Sequence, residues 1–385
     1  MVRFLCRRLG VIASLGLIFA SVFDVTSAQT AAAEIARYDP PAPPPLSARA
    51  VFVTDITSGT ELFALNPDTS LAPASLTKIV SALVILERGD LNARVSIVAE
   101  DLVGPEESQV GLVEGDRLTV RDLLFGVLIP SGNDATRALA RYVGSESLAA
   151  SVPPDRAVAE FTSLMNEKAR ELGATSSTFK NPTGIDAEGH QMSARDVATL
   201  TAAALANPLF VEIVSTPTAV LSSEMRSEGY AVQTTNQLLL EGTVNGVKTG
   251  TTAAAGGCLV TTLAVGPNTI IAVVLGSSLA ETTDGLQDNS ARYADTKLLL
   301  EAVTAEYLWL NPVEPETVAG LQDEMRVWQV DLADDALLPV PAAETTQLRY
   351  RLILQPPSGR DQLAGELQFY VGERLLSERA AVQVG

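Results

Sequence analysis

Histidine and cysteine are almost absent from this sequence, and their scarcity excludes several kinds of active site. The 385 residues include one histidine, His190, and two cysteines, Cys6 and Cys258. A zinc centre is usually built from several such ligands, so we expect no metal, and nothing in the sequence predicts another cofactor. A Ser-His-Asp triad needs a histidine base, but His190 follows Gly189 just before a predicted helix cap, and we interpret it as a loop residue.

Positive charge is also scarce. Lysine and arginine together number 27 against 46 aspartates and glutamates, which gives a formal net charge of -19. Because phosphate binding requires a basic surface, this composition argues against nucleic acid as a partner. Five of the basic residues are lysines: Lys78, Lys168, Lys180, Lys248 and Lys297. Arginine does not release its proton in proteins, so a lysine that stands in a motif indicates chemistry that arginine cannot perform.

Long apolar runs are missing beyond the N-terminus, where no segment reaches the roughly 18 residues that a membrane span requires. The N-terminus itself is typical of a signal peptide. Its first eight residues include three arginines, Val11 to Phe23 are apolar, and Thr26-Ser27-Ala28 provides small residues for cleavage. We therefore expect residues 1–28 to be removed, Gln29 to begin the mature chain, and the protein to be exported to the periplasm or cell surface. An uncleaved anchor is the alternative.

Removal of this segment would leave Cys258 as the only cysteine, which excludes an intrachain disulfide. We expect Cys258 to be a small buried apolar residue.

The remaining chain divides into three parts by composition. Residues 29–47 include the proline-rich stretch Tyr38 to Pro45, which predicts an extended linker. Residues 48–312 carry strand patterns at both ends and helical patterns between them, so we expect an α+β fold with an antiparallel sheet flanked by helices and a helical subdomain. Residues 313–385 consist of short alternating apolar and polar segments, which predict a small all-β domain.

Local signals predict individual elements within these parts. Two hairpins are expected, one from Ala50–Thr54 and Glu61–Leu65 and one from Cys258–Val265 and Thr269–Leu275. Helices are expected after Ser75, Thr119 and Ser193, over Phe161–Leu172, and over Arg292–Tyr307. The C-terminal strands are expected around Trp328/Val330/Leu332, Leu348/Tyr350/Leu352 and Leu367/Phe369/Val371.

Ser75-Leu76-Thr77-Lys78 is the first element that can carry chemistry. Residues three apart at the start of a helix share one face, so Ser75 and Lys78 are expected to be neighbours. Serine is a weak nucleophile until a base takes its proton, and a buried lysine can be that base. The helix N-terminus also directs backbone N–H groups toward charge that develops at an attacked carbonyl. Taken alone, a helix-capping serine with a passing lysine explains the pattern equally well.

Two further elements follow in order. Ser131-Gly132-Asn133 places a hydroxyl and a carboxamide in a loop before a helix. Lys248-Thr249-Gly250 places a cation, a hydroxyl and a residue without a side chain next to Thr251 in a strand. Each pattern alone also fits an ordinary turn or strand end.

The three elements together resemble the motif combination of serine β-lactamases and penicillin-binding proteins. Further segments resemble the low-molecular-mass D-alanyl-D-alanine carboxypeptidases: Pro73–Lys78, Pro130–Ala135, Phe179–Gly184, Thr235-Asn236 and Gly246–Thr251. The resemblance covers roughly residues 48–307 and implies a serine D,D-peptidase with the penicillin-binding-protein fold. It also implies peptidoglycan stem peptides as substrates and β-lactams as covalent inhibitors, and it leaves a peripheral association with membrane or wall open.

The resemblance further implies a role for each motif residue. Ser75 is the expected nucleophile and Lys78 its base, and Ser131 and Asn133 are expected to relay protons and position the peptide. Lys248 is expected to keep Lys78 neutral by charge repulsion. In the same strand, Thr249 is expected to hold the terminal carboxylate and Gly250 to leave room for the substrate. Thr251 is expected to share the oxyanion hole with Ser75 through their backbone N–H groups.

Three alternatives share parts of this pattern. A class A β-lactamase needs a Glu-x-x-Leu-Asn segment between the second and third motifs, and none occurs between Ser131 and Lys248. A D,D-endopeptidase that cuts peptide cross-links would share every motif, although such enzymes usually lack the extra β domain. A catalytically silent wall-binding or β-lactam-sensing protein would need a disabled site, which the intact Ser75, Lys78 and Lys248 argue against.

Overall fold

The computed structural model describes residues 36–148, 152–281, 287–355 and 363–383. The expected signal peptide, residues 1–28, and the first part of the expected linker lie outside these ranges. Within them, helices and antiparallel sheets coexist, as the α+β prediction required.

Nine helices and seventeen strands are formed in the described ranges. The helices are α1 (Thr77–Arg88), α2 (Val120–Leu128), α3 (Asn133–Leu148), α4 (Pro154–Glu171), α5 (Ala194–Leu205), α6 (Pro208–Val214), α7 (Gln237–Leu240), α8 (Ala291–Glu306) and α9 (Leu321–Trp328). The strands are β1 (Ala50–Asp55), β2 (Thr60–Leu65), β3 (Arg94–Ser96), β4 (Arg117–Thr119), β5 (Thr218–Leu221), β6 (Tyr230–Gln233), β7 (Val247–Thr252), β8 (Gly256–Val265), β9 (Asn268–Ser277), β10 (Ala280–Glu281), β11 (Gln287–Asp288), β12 (Tyr307–Leu310), β13 (Val330–Leu332), β14 (Leu338–Pro341), β15 (Leu348–Leu354), β16 (Leu363–Val371) and β17 (Arg374–Gln383).

The central sheet has five antiparallel strands in the order β2-β1-β9-β8-β7. Both predicted hairpins are confirmed, and β1 joins them by pairing with β9, so that Ala50 lies opposite Leu275. The strand β7, which carries the third motif, forms one edge of this sheet.

The sheet is covered on both faces because its strands alternate in the way that a two-sided core requires. Ala50 and Phe52 point into the larger core, which contains α1 to α6. Val51 and Val53 point into the opposite core, where they pack with α8. The catalytic motifs of α1 and β7 therefore meet where the helical part packs against the sheet.

The predicted helix starts are confirmed at two capping boxes. The side chain of Thr119 accepts a hydrogen bond from the Asp122 N–H at the start of α2, and Ser193 does the same for Asp196 at the start of α5. The helix that follows Ser75 ends at Arg88, directly before Gly89, as expected.

The proline-rich segment is not a free spacer over the part that the structure describes. The Tyr38 N–H donates to the Leu375 carbonyl at 2.7 Å, and the Tyr38 side chain is buried in the C-terminal core. Further along, Ser47 donates to Asp295 on α8 through both its N–H and its hydroxyl. Proline removes donors and favours an extended backbone, but it does not prevent such a strand from lying along the folded protein.

The C-terminal region forms the predicted β structure, a four-stranded sheet in the order β13-β17-β16-β15. The predicted strand around Trp328 is wrong in part, because Trp328 ends the helix α9 and only Val330–Leu332 is extended. The apolar residues Leu321 and Met325 lie four apart and are both buried, as expected for one face of a helix. Helical periodicity therefore describes this segment better than the alternating pattern does.

The expected boundary at residue 312 falls between two paired strands, since β12 pairs with β14. A second contact joins the C-terminal sheet to the β1–β2 turn, where the Ser377 hydroxyl donates to the Ser58 carbonyl at 2.6 Å. A third involves Asn268, whose amide donates to the Leu337 carbonyl at 2.8 Å. The domain limits themselves stay predictions.

Within the described ranges, no single helix combines the length and the apolar composition that a membrane span requires. The pair α5 and α6, bent by 112°, meets those two criteria when both helices are counted together.

Candidate active site

The first motif forms a tight turn that leads directly into α1. Ala74–Leu76 is a single 3-10 turn, and α1 begins at the next residue. This geometry places the Lys78 Nζ 2.9 Å from the Ser75 Oγ, so the expected contact between the two side chains is present. Ser75 is half-buried, while Lys78 is fully buried.

The backbone directly before Ser75 is strained. Ala74 has a φ of +48°, a left-handed conformation that a residue with a side chain seldom adopts. Gly184 packs so closely against this turn that a Cβ at Gly184 would lie 1.9 Å from the Ala74 carbonyl oxygen. Gly184 thus packs directly against the strained turn that precedes Ser75.

Burial makes Lys78 a plausible base at neutral pH. Desolvation lowers the pKa of Lys78 to about 7, against a weaker opposing effect of the Glu107 and Asp134 carboxylates. Besides Ser75, its amine contacts the Thr183 carbonyl oxygen at 2.8 Å. A neutral amine at this position has a free electron pair for the Ser75 proton.

Lys248 is the second buried amine of the site. Its pKa lies well below the ordinary lysine value, first because of burial and then because of repulsion from Lys78 and Arg292. Desolvation is the first cause of the low pKa of Lys78. The role expected of Lys248, to keep Lys78 neutral by charge repulsion, stays a prediction.

The second motif presents two oxygen atoms that lack partners. Ser131 has a φ of +65°, and neither its Oγ nor the Asn133 Oδ1 has a hydrogen-bond partner among the described residues. Both side chains are buried, and leaving a buried polar atom unsatisfied is unfavourable. Such atoms are suited to a ligand that supplies the missing partner.

Glu107 determines which end of the Asn133 carboxamide is free. The Asn133 Nδ2 donates to the Glu107 Oε2 at 2.6 Å. A carboxylate can only accept, so it selects the amide nitrogen and leaves the Oδ1 as an available acceptor. The next residue, Asp134, fixes the loop segment 110–112 by accepting hydrogen bonds from the N–H groups of Val110, Gly111 and Leu112.

The third motif lies beside the nucleophile on the edge strand β7. A Cβ at Gly250 would lie 2.8 Å from the Ser75 nitrogen, so only glycine allows this approach. The neighbouring Thr249 hydroxyl contacts the Thr235 hydroxyl at 2.6 Å. The sequence motif thus positions both a polar side chain and a bare stretch of backbone next to Ser75.

Arg292 is a site residue that sequence reasoning missed. It lies on α8, and its guanidinium donates to the Gly250 carbonyl at 3.0 Å and to the Thr251 hydroxyl at 2.6 Å. It is only 5% exposed, and within the described part of the chain it forms no ion pair with a carboxylate. Its other terminal nitrogen donates to Asn289 and to the Tyr293 hydroxyl, so Arg292 contributes a buried positive charge beside β7 and not a free set of donors.

No group of three histidine, cysteine, aspartate or glutamate side chains converges as metal ligands would in the described ranges. Cys258 is fully buried on β8, and burial raises the pKa of its thiol to about 11, which fits its expected structural role.

Comparison with known proteins places this arrangement in a family. Residues 38–279 match the family described as Peptidase_S11, D-alanyl-D-alanine carboxypeptidase. The chain is 35% identical over 239 residues to D-alanyl-D-alanine carboxypeptidase DacF of Bacillus subtilis, an alignment that covers 60% of this chain and 58% of that protein. It is 30% identical over 365 residues to D-alanyl-D-alanine carboxypeptidase DacC of Escherichia coli, covering 88% and 84% respectively.

Solved structures give the same result. The Streptomyces K15 DD-transpeptidase superposes with a TM-score of 0.61 at 30% identity, covering 68% of this chain and 98% of that one. Penicillin binding protein 6B from Escherichia coli superposes with a TM-score of 0.65 at 26% identity and covers 91% of this chain and 100% of that one. The second match therefore includes most of the C-terminal region.

The close approach at Gly250 gives the first prediction. Gly250→Ala should reduce the rate of covalent labelling at Ser75 by a β-lactam by about a hundredfold, because displacement of reacting groups by about 1 Å has effects of that size. Stopped-flow acylation with a fluorescent penicillin measures this rate.

The matched control is Gly257→Ala on the adjacent strand β8, where the nearest atoms to an added Cβ are 3.4 Å away or more. It should label at nearly the normal rate. An equal loss of labelling rate in both variants would show that the close approach of Gly250 to Ser75 does not cause the loss.

Proposed function

The chain belongs to the D-alanyl-D-alanine carboxypeptidase family, and from that premise we propose that it removes the terminal D-alanine from peptidoglycan stem peptides through an acyl-enzyme on Ser75. The observation that carries this proposal is the buried Lys78 amine, with a pKa of about 7, at 2.9 Å from the Ser75 hydroxyl. A base near neutrality in contact with a nucleophile is what acyl transfer at physiological pH requires.

In the proposed acylation step, Lys78 takes the proton of Ser75 while the Oγ attacks the carbonyl carbon between the two D-alanines. The backbone N–H groups of Ser75 and Thr251 stabilise the negative charge that develops on the carbonyl oxygen. The carbon–nitrogen bond then breaks, the leaving D-alanine amine takes up a proton, and the peptide remains on Ser75 as an ester. Water hydrolyses the ester with the same amine as base and regenerates the hydroxyl.

The partnerless oxygens of the second motif support its proposed role. The Asn133 Oδ1 is an acceptor for the substrate backbone N–H, and its orientation is secured by Glu107. The Ser131 hydroxyl is buried, has no partner among the residues that the structure describes, and is proposed to pass the proton to the leaving amine.

We assign the terminal carboxylate of the substrate to the strand β7. Thr249 supplies a hydroxyl, and Arg292 supplies a permanent positive charge beside the strand. Gly250 adds no side chain where the strand approaches Ser75. A β-lactam carries a carboxylate and a reactive carbonyl in a similar arrangement, so we propose that β-lactams acylate the same serine.

Product analysis tests this proposal. Incubation with a stem pentapeptide should yield a peptide shortened by one D-alanine, as measured by mass spectrometry, and Ser75→Ala should yield none because it removes the hydroxyl that contacts Lys78. The same variant should also lose the covalent penicillin adduct.

The products also separate the rival activities. Cleavage of a cross-linked dimer in preference to the pentapeptide would indicate an endopeptidase, and an adduct without turnover would indicate a penicillin-binding protein that is catalytically silent. An adduct that persists in Ser75→Ala would contradict the assignment of the nucleophile.

The low pKa of Lys78 predicts how acylation depends on pH. As the pH falls through about 7, the amine gains a proton and can no longer accept one, so the acylation rate should fall by about tenfold per pH unit below that value. Lys78→Arg should lower the rate by roughly 10²–10⁴, since arginine keeps its proton.

Lys297→Arg is the control, because Lys297 pairs with Glu241 at the surface and should be replaceable without effect on the rate. Near-normal acylation by Lys78→Arg, or a profile that is flat between pH 5 and 8, would exclude Lys78 as the base.

We also propose that the protein is exported, with residues 1–28 as a cleaved signal peptide. Expression of the full chain in a bacterial host should give a protein outside the cytoplasm whose N-terminal residue is Gln29. A membrane-bound product with residues 1–28 retained would instead indicate an anchor, and a product that stays in the cytoplasm would contradict export.

A further inference from the structure

The single histidine of the chain lies directly beneath the catalytic turn. His190 is only 4% exposed, and its ring packs edge-on against Phe179 at 5.8 Å between ring centroids. Its Nδ1 is 3.1 Å from the Lys180 backbone nitrogen, and its Nε2 is 2.8 Å from the hydroxyl of Thr77. Thr77 belongs to the first motif and lies between Ser75 and Lys78 in the sequence.

These contacts determine which ring nitrogen carries the proton. The Lys180 backbone N–H can only donate, so the Nδ1 of His190 must be the acceptor. A neutral imidazole then carries its proton on the Nε2, which donates to the Thr77 hydroxyl. Burial is the main reason that the pKa of His190 is lowered to about 4, so the ring is neutral at physiological pH. Asp186 has an opposing effect, and Lys180 adds a smaller lowering effect.

The same order of donor and acceptor continues from Thr77 into the strained turn that precedes Ser75. Because Thr77 accepts from His190, its own hydroxyl proton is free to donate, and it donates to the Ala74 carbonyl oxygen at 2.9 Å. The result is a directed chain of hydrogen bonds from Lys180 through His190 and Thr77 to Ala74.

The last acceptor of this chain belongs to the peptide group that precedes the nucleophile. The Ala74 carbonyl and the Ser75 N–H are parts of one planar peptide unit and point in opposite directions. A hydrogen bond that fixes the carbonyl therefore fixes the direction of the Ser75 N–H. Gly184 packs against the same carbonyl, and the neighbouring Thr183 carbonyl contacts Lys78.

We propose that His190 is a positioning residue, which acts through Thr77 and the Ala74 carbonyl to hold the strained peptide group whose N–H is aimed at the substrate oxyanion. The inference rests on the proposed role of Ser75 and adds a function for a residue that touches no reacting atom. His190 takes no part in proton transfer from Ser75, because its Nε2 proton is committed to Thr77 and its Nδ1 lone pair to Lys180.

Removal of either middle member should interrupt the chain. We expect His190→Ala and Thr77→Val each to lower the first-order rate constant of penicillin acylation by about tenfold to a hundredfold. The noncovalent affinity for the penicillin should change by less than threefold, since neither side chain lines the binding strand. Stopped-flow measurements at several penicillin concentrations separate the two constants.

Three further variants distinguish positioning from a general structural effect. In the double variant His190→Ala/Thr77→Val, acylation should be no slower than in the slower single variant, because both changes break the same chain. His190→Gln can restore a donor to Thr77 and should recover part of the rate. Val84→Ala, a cavity in the buried face of the same helix α1, should lower the thermal midpoint without lowering the rate constant.

The tautomer can be observed directly because the chain has one histidine. Nitrogen-15 NMR of the imidazole should show a proton on the Nε2 at pH 7 and a titration near pH 4. An Nδ1–H tautomer, multiplicative loss in the double variant, or rate loss in Val84→Ala equal to that in His190→Ala would overturn the proposal. Normal acylation in both single variants would overturn it while leaving Ser75 as nucleophile, whereas failure of the wild-type protein to form an adduct would overturn the proposed function itself.

Discussion

The chemistry of this site depends on keeping water away from the amine of Lys78. An exposed lysine is protonated at neutral pH and cannot act as a base, whereas the fully buried Lys78 has a pKa of about 7. Lys78 lies on α1, and its amine contacts Ser75 and the Thr183 carbonyl, with the Glu107 and Asp134 carboxylates near enough to affect its pKa. The low pKa therefore depends on the packing of segments that are far apart in the sequence.

Much of the fold and the local part of the site could be predicted from the sequence. Ser75 and Lys78 are three residues apart, and helical geometry alone brings them together. Glu107, Thr183 and Arg292 could not be found in this way, because each reaches the site from an element far away in the sequence. Trp328 was misjudged for a related reason, since packing favoured a helix over the alternating pattern there. The attachment of the proline-rich segment to the C-terminal region likewise depends on contacts that are distant in the sequence.

The site contains several backbone conformations and buried polar groups that are each energetically unfavourable. Ala74 and Ser131 have left-handed backbones, Lys248 is a buried amine, and two buried oxygen atoms lack partners in the described part of the chain. Strain and unsatisfied polar atoms of this kind persist only where neighbouring contacts enforce them. The hydrogen-bond chain through His190 is one such contact, and the close packing of Gly184 is another. Rigidity at Ser75 thus originates in residues that do not touch the substrate.

The pairing of β1 with β9 has a consequence for when the protein can fold. Ala50 on β1 lies opposite Leu275 on β9, so β1 lacks this partner until more than two hundred further residues have been made. Loop closure over such a distance is slow, and the sheet cannot form its core from the N-terminal hairpin alone. Formation of the central sheet is therefore delayed until β9 has been made. Export, which we propose for this protein, would require an unfolded chain during passage across a membrane, and this topology favours that order of events.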